Sequence, residues 1–266
     1  MIRADLSNEQ YHAHHAISSS DVKAVHSTSV LHWKHKVYKS SSAFDLGTAV
    51  HALVLEPEAD LIVRGPADRR GNKWTEALAK ADLTGQLLLT EGDYDKSRMM
   101  ADALLAHPAG QRMAGPETLN ERSIFVTDPD VGIEIKCRPD SLDVGSGVIY
   151  DIKTCADASP DGFARAVQTY GYAIQAAFYL HVCKMEGLRP KRFVFACVEK
   201  EAPYAVGIHT LTQEYLDWGH SQMMLALDQI KRANDTGTFA TGWPTLNVID
   251  LPRWLQDAPA EEADFN

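Results

Sequence analysis

The sequence predicts an α/β fold in which a mixed central sheet is flanked by helices, within one domain of 266 residues. Three observations carry this reading. Hydrophobic residues make up 45% of the chain, enough to bury a substantial core. From residue 90 onward the apolar pattern runs helix, three strand-like stretches, helix, strand, an alternation that packs helices onto a sheet. The chain also lacks the internal repeat that would signal a solenoid or a propeller.

The elements follow in order. Over residues 18–39, Ser and Thr caps precede Val22, Val25, Leu31, Trp33 and Val37. This predicts one or two short helices that also carry Lys23, Lys34, Lys36 and Lys39, a candidate basic surface. Residues 43–55 place Leu46, Ala49, Val50, Leu53 and Val54 on a helical stripe, and Pro57 marks its stop. Residues 90–107 read as a helix with Thr90 and Asp93 as a capping box and Met99, Ala103 and Leu104 on one face. Strands are predicted at 123–127, 132–138 and 147–154, separated by Asp128-Pro129-Asp130 and Gly145-Ser146-Gly147 turn chemistry. One long helix is expected over 160–185, strands over 192–199 and 205–210 close the sheet, and residues 212–232 read as a final helix. A His- and Ser-rich opening and an acidic end, residues 257–266, are expected to be mobile.

Composition excludes several classes. Lys and Arg total 26 against 36 for Asp and Glu, a formal charge of −10, which argues against a protein that coats nucleic acid by bulk positive charge. Any nucleic-acid contact must come from local patches. No apolar run reaches the ~18–20 residues of a membrane span and the first residues lack a secretion leader, so a soluble, cytoplasmic protein without a membrane partner is expected. The four cysteines, Cys137, Cys155, Cys183 and Cys197, form no C-x-x-C pair and lie in apolar segments, so they read as buried free thiols.

The chemistry concentrates in the third strand. Side chains alternate along Val148-Ile149-Tyr150-Asp151-Ile152-Lys153, so Asp151 and Lys153 share one face while Tyr150 and Ile152 point to the other. Pro139-Asp140 ends the second strand, and a hairpin of the intervening length can lay Asp140 beside Asp151. Two carboxylates and a lysine at one sheet edge suit a hard divalent cation that keeps positions open for phosphate oxygens and water. Two other acid-x-lysine pairs compete. Asp21 and Lys23 lie in a helical region, where positions i and i+2 do not share a face, and this pair is set aside. Glu134 and Lys136 follow Pro129-Asp130, but Asp130 is too close for a hairpin to align the carboxylates, so this pair is expected on a solvent-facing strand surface.

Arg138-Pro139-Asp140, ten intervening residues, then Asp151-Ile152-Lys153 resembles the PD-(D/E)xK nuclease signature, and the order of elements resembles that family's restriction-endonuclease-like core. Two further blocks resemble the RecE-type exodeoxyribonuclease VIII group of phage and prophage recombination nucleases. They are Phe44-Asp45-Leu46-Gly47-Thr48-Ala49-Val50-His51, similar to its early histidine helix, and Tyr170 to Tyr179, similar to its post-catalytic helix. The likeness spans residues 18–254. On its apolar surroundings alone, His51 reads as a core histidine; the resemblance implies instead that it faces the metal site, with Gly47 one turn before it leaving room for close approach. Tyr172, Gln175 and Tyr179 line one helix face, which by spacing is equally a half-buried aromatic stripe. The resemblance implies that Gln175 and Tyr179 reach the site and orient the lysine or a DNA phosphate. Glu121 enters the first strand as either a further acidic ligand through water or a solvated strand end.

The reading implied is an Mg²⁺- or Mn²⁺-dependent deoxyribonuclease in which His51, Asp140, Asp151 and the carbonyl of Ile152 hold the metal and Lys153 acts on the nucleophile or the transition state. The resemblance implies 5′→3′ exonuclease action on double-stranded DNA ends, 3′ single-stranded tails, and a single-strand annealing protein as partner. Arg69-Arg70-Gly71-Asn72-Lys73-Trp74 combines cations with an aromatic, a composition for gripping phosphate and stacking on a base, or else a solvated turn. Lys184, Arg189, Lys191 and Arg192 form a second basic cluster. An acidic chain that digests a polyanion processively needs its cations gathered around the DNA. A ring of subunits with Arg69, Arg70, Lys73, Lys34 and Lys36 lining a channel does this, as a homotetramer by resemblance, or a trimer. Residues 1–85 are expected to be a helical DNA-contacting part, 86–233 the catalytic core and 234–266 an extension. The alternatives are a structure-specific or nicking endonuclease of the same fold, or a non-catalytic DNA-binding or assembly protein. The sequence has no H-E-x-x-H zinc helix, P-loop or G-x-S-x-G elbow, which sets aside a zinc protease, an ATPase and a serine hydrolase.

Overall fold

In the computed structural model the described residues are 1–4, 6–37 and 42–252, the side chains of 42–44 excepted; Lys39 and the acidic end, residues 257–266, lie outside them. The N-terminal part comprises β1 (Ile2–Arg3), α1 (Asn8–Ala13), α2 (Ser19–Ser27), α3 (Val30–Lys34), α4 (Ser42–Leu55), β2 (Ile62–Arg64) and α5 (Asn72–Thr84). The chain continues through β3 (Leu87–Leu89), α6 (Glu91–Ala106), α7 (Pro108–Met113), β4 (Thr118–Asn120), β5 (Ser123–Thr127), β6 (Glu134–Cys137), β7 (Ser141–Asp143) and β8 (Val148–Cys155). It closes with α8 (Pro160–Tyr170), α9 (Tyr172–Met185), β9 (Arg192–Glu199), β10 (Val206–His209) and α10 (Gln213–Thr236). No helix among the described residues is long and apolar enough to cross a membrane.

Local chemistry sets the helix starts. The Ser18 backbone N–H donates to Asp21 Oδ2 at 2.9 Å and opens α2, while Trp33 Nε1 donates to Asp21 Oδ1 at 3.0 Å and ties α3 to it. Thr90 Oγ1 accepts from the Asp93 N–H at 3.1 Å to cap α6, and Ser159 Oγ accepts from Gly162 N–H at 3.1 Å, with Pro160 behind it, to start α8. The single helix expected over 160–185 is two. Gly171 takes φ 63°, a left-handed conformation that ends α8 and lets α9 set off afresh.

The central sheet has the order β10-β9-β8-β7-β4, with β8 and β9 parallel and the other pairs antiparallel, so it is mixed as expected. Alternation along β9 builds both layers of the core. Phe193, Phe195 and Cys197 join Ile149 against Ile174 and Phe178 of α9 and Leu227 and Ile230 of α10. Val194, Ala196 and Val198 join Tyr150 and Ile152 against Val50 and Val54 of α4 and Met100 and Leu104 of α6. Val22 and Val25 of α2 enter the first of these cores, so α2 packs with the central sheet and its helices. All four cysteines are free thiols, three buried and Cys155 partly so.

Two expectations fail here. The three strand-like stretches do not share one sheet, because β5 and β6 form a separate antiparallel sheet with β1, and only β8 belongs to the central one. Pro139 has no N–H to donate, the β6 ladder ends before it, and the chain then enters β7, a strand of three residues that the sequence reading missed. Nor is Lys136 on a solvent-facing surface. It is 3% exposed, its Nζ donates to the carbonyls of Tyr11 and His14, and only Glu134 stays near solvent, paired with His15 at 3.1 Å. Residues 11–17 cover that face of β6, with the Ile17 N–H bonded to the Glu134 carbonyl at 2.9 Å.

Candidate active site

The site forms where β7 stops short. Ser141 pairs with Tyr150, and continuing that register sets Asp140 across from Asp151, with no strand residue beyond it. The Ile152 N–H, left without a strand partner on that side, donates to Asp140 Oδ2 at 2.6 Å. Asp151 and Lys153 project from β8 toward α9, the face also taken by Ile149. There Lys153 Nζ forms an ion pair with Asp151 Oδ2, and Gln175 Nε2 of α9 donates to Asp151 Oδ1 at 2.6 Å. Lys153 Nζ also lies 4.9 Å from the ring centroid of Tyr172. Burial opposes the Lys153 charge, but Asp151 and Asp140 outweigh it and hold the ammonium's pKa above its ordinary value.

From the other face of the sheet, α4 delivers His51. Its Nε2 lies 3.1 Å from the Ile152 carbonyl and its Nδ1 lies 3.4 Å from Asp140 Oδ2. Glu121 completes the group from the link between β4 and β5. It adopts φ 52°, uncommon for a residue with a side chain, and its N–H donates to the Asp140 carbonyl at 3.2 Å. One ligand atom each of His51, Glu121 and Asp140 lie within 4.8 Å of one another. Burial, then repulsion from Asp140, pushes the Glu121 carboxyl up to about 8. Burial, with Asp151 adding and His51 opposing, pushes Asp140 up to about 6.

These residues fit a divalent cation. Two desolvated carboxylates that resist ionisation beside each other, with an imidazole aimed at the same point, are a donor set whose charge a cation neutralises. His51, Glu121 and Asp140 converge directly, and the Ile152 carbonyl lies beside them. Asp151 adjoins the group but has its oxygens engaged by Lys153 and Gln175.

The remaining predicted residues divide. Gln175 meets Asp151 rather than the lysine or the exterior, and Tyr172 meets Lys153. Tyr179 packs edge-on against Phe193, 5.7 Å between centroids, and burial raises its phenol well above the ordinary range. A Cβ at Gly47 would meet Thr154 Oγ1 at 3.8 Å, ordinary contact, so steric need does not explain that glycine. Arg69 pairs with Asp45 at 3.3 Å and Asp93 at 3.4 Å and lies over the half-buried Trp74, Arg70 pairs with Asp68, and Lys73 is exposed. Lys34 lies 4.7 Å over Phe239, and Lys36 is exposed at the end of α3. Lys23, discarded because it shares no face with Asp21, reaches the site by another route. Its Nζ lies 5.7 Å from the Tyr172 centroid, and burial, then Lys153, push its ammonium down to about 8. The approach of α2 to α9 is a long-range contact with no local signal in the sequence.

Comparison with known proteins bears on the family and the fold. No curated protein matches the sequence. Among solved structures, a candidate exonuclease from Eubacterium rectale superposes with a TM-score of 0.65 at 16% identity, covering 97% of this chain and 100% of that one, which shows a shared fold. A second, SSO0001, is 12% identical over 71% of this chain and 88% of its own, and its TM-score of 0.30 is too low to bear on the fold. A family model described as a PDDEXK-like domain of unknown function (DUF3799) matches residues 17–242, which include Glu121, Asp140, Asp151, Lys153 and His51. By that match, over a fold of the same class, the chain belongs to the PDDEXK-like DUF3799 family.

Proposed function

We propose that the protein is a divalent-metal-dependent deoxyribonuclease that resects double-stranded DNA ends 5′→3′ and leaves 3′ single-stranded tails. The observation that carries the nuclease reading is the convergence of His51, Glu121 and Asp140 at the open end of β7, beside a buried Asp151–Lys153 pair. His51, Glu121 and Asp140, with the Ile152 carbonyl and Asp151 adjoining, would hold Mg²⁺ or Mn²⁺. When bound there, the cation supplies water activation and neutralisation of charge on the scissile phosphate. Lys153 keeps its proton through Asp151 and Asp140 and presents a fixed positive charge for the developing oxyanion. Gln175 locks the Asp151 carboxylate in that orientation, and the Tyr172 ring shields the ammonium on one side.

Double-stranded ends, 5′→3′ polarity, a single-strand annealing partner, a cytoplasmic setting and a ring-shaped tetramer, or failing that a trimer, extend the proposal from the RecE-like blocks around His51 and Tyr170 to Tyr179. The test is digestion of a linear duplex labelled at either the 5′ or the 3′ end, in Mg²⁺, Mn²⁺, Ca²⁺ or EDTA. The expected result is early release of the 5′ label in Mg²⁺ or Mn²⁺ and an intact duplex in Ca²⁺ or EDTA, because Ca²⁺ takes looser coordination. Equal cleavage of closed circles would point to an endonuclease, and tight binding without cleavage in any metal would point to a non-enzymatic protein.

A further inference from the structure

A groove lies between α2, the α8–α9 junction and the start of α10, and it includes Lys23, whose Nζ is 5.7 Å from the Tyr172 ring centroid. Its volume of about 1040 Å³ lies above the ~300–1,000 Å³ usual for small-molecule sites. Two large aromatic rings stand open in its walls, Tyr170 at 59% and Trp218 at 45% exposure. Trp218 is held on edge by Tyr215, 5.9 Å between centroids, and by His26 at 5.8 Å, so its plane is fixed although it faces solvent. Tyr170 is held 5.6 Å from Tyr172. Two lysines line the same groove. Lys36 Nζ lies 3.5 Å from the Ser20 carbonyl, and Lys23 Nζ lies over the Tyr172 ring that also carries Lys153. Among the described residues, Glu214 is the one acidic residue in the lining.

Exposed, braced aromatics in one groove with ammoniums suit a flexible polyanion that carries stacking faces. A duplex hides those faces and an apolar peptide has no use for the lysines. We infer that this groove is a docking site for single-stranded DNA, with bases stacking on Tyr170 and Trp218 and phosphates following Lys36 and Lys23 toward Lys153. The inference rests on the nuclease reading for its substrate class and gives the active site a strand path: one strand of a frayed end lies in the groove while the scissile phosphate sits beyond Tyr172.

The test needs no turnover. Anisotropy of a fluorescein-labelled oligo(dT) of about 12 nucleotides is titrated in EDTA with the full chain. Wild type should bind it with an affinity that falls as salt rises. Trp218→Ala and Tyr170→Ala should each weaken binding roughly tenfold, and Trp218→Phe should stay within about threefold of wild type. Both rings are exposed, so thermal melts of the variants should match wild type. Equal affinity of wild type, Trp218→Ala and Tyr170→Ala would overturn the inference. So would absence of oligo(dT) binding, and in that case loss of self-association in Trp218→Ala by light scattering would assign the face to a protein contact. If wild type binds oligo(dT) through these residues yet cleaves no duplex in Mg²⁺ or Mn²⁺, the groove stands and the nuclease reading falls.

Discussion

Glu121→Gln should make the metal-free protein more stable at alkaline pH while it cripples metal binding. A carboxyl whose pKa is raised in the folded state binds its proton more tightly there than in the unfolded chain. Its contribution is therefore full below the unfolded value and is lost as pH rises through the folded one. For Glu121 that window runs from 4.5 to about 8. At about 1.4 kcal/mol per pH unit, the rise corresponds to roughly 5 kcal/mol of penalty once the group is forced to ionise. Glu121 and Asp140 hold their protons as a pair, so removing one carboxylate should recover about half of this, ~2–3 kcal/mol. For a chain of this size that is a Tm gain of roughly 5–10 °C. The assay is calorimetry in EDTA at about pH 5 and about pH 8.5, then with Mn²⁺ added. Wild type should lose stability between the two pH values and regain it with Mn²⁺, whereas Glu121→Gln should lose less and respond little to the metal. A Glu121→Gln protein no more stable than wild type at the higher pH, with the same pH slope, would refute the account of the site as a desolvated, charge-frustrated cation pocket.

Other outcomes follow from the same geometry. Lys153→Ala and Asp151→Asn should each lower cleavage of linear duplex by at least ~10²–10³-fold with unchanged circular dichroism. Asp140→Ala should abolish metal-dependent cleavage and, by orphaning the Ile152 N–H, cost about 1–3 kcal/mol in a denaturant melt. Asp140→Asn should keep the fold and lose the activity, while Glu134→Ala should stay active, and an inactive Glu134→Ala beside an active Asp140→Ala would move the site to β6. Gln175→Ala should reduce kcat by about 10–100-fold with little change in KM, and a pure KM effect would place Gln175 on the substrate instead.

Period-2 alternation is local, and it was enough to put Asp151 and Lys153 on one face of β8 and Ile152 on the other. The helix start at Thr90 was legible because a cap involves neighbours. What the sequence concealed depends on distant contacts or on single torsions. β7 is too short for periodicity to reveal. The periodicity over 160–185 runs on through Gly171, and only its φ of 63° divides that stretch into two helices. Glu121 joins His51 and Asp140 through an unusual left-handed torsion, and Lys23 enters the surroundings of Tyr172 through the packing of α2 on α9. Lys136 was misplaced because residues 11–17 cover a strand more than a hundred positions later, and no local rule anticipates that.

Glu121 and Asp140 occupy the two points where the chain leaves the central sheet after β4 and returns to it before β7, and they are joined there by a backbone hydrogen bond. Everything between them, residues 122–139, is an excursion that begins and ends at two carboxylates of the candidate site. Its two strands are seated in the core with α9 through Ile124, Ile135 and Cys137, and at its tip Asp128 binds His181 of the same helix at 2.6 Å. That helix also supplies Gln175 to Asp151, so one element braces the excursion that ends in Glu121 and Asp140 and orients the third carboxylate as well. A substitution that shifts α9 would therefore be felt at all three acids together.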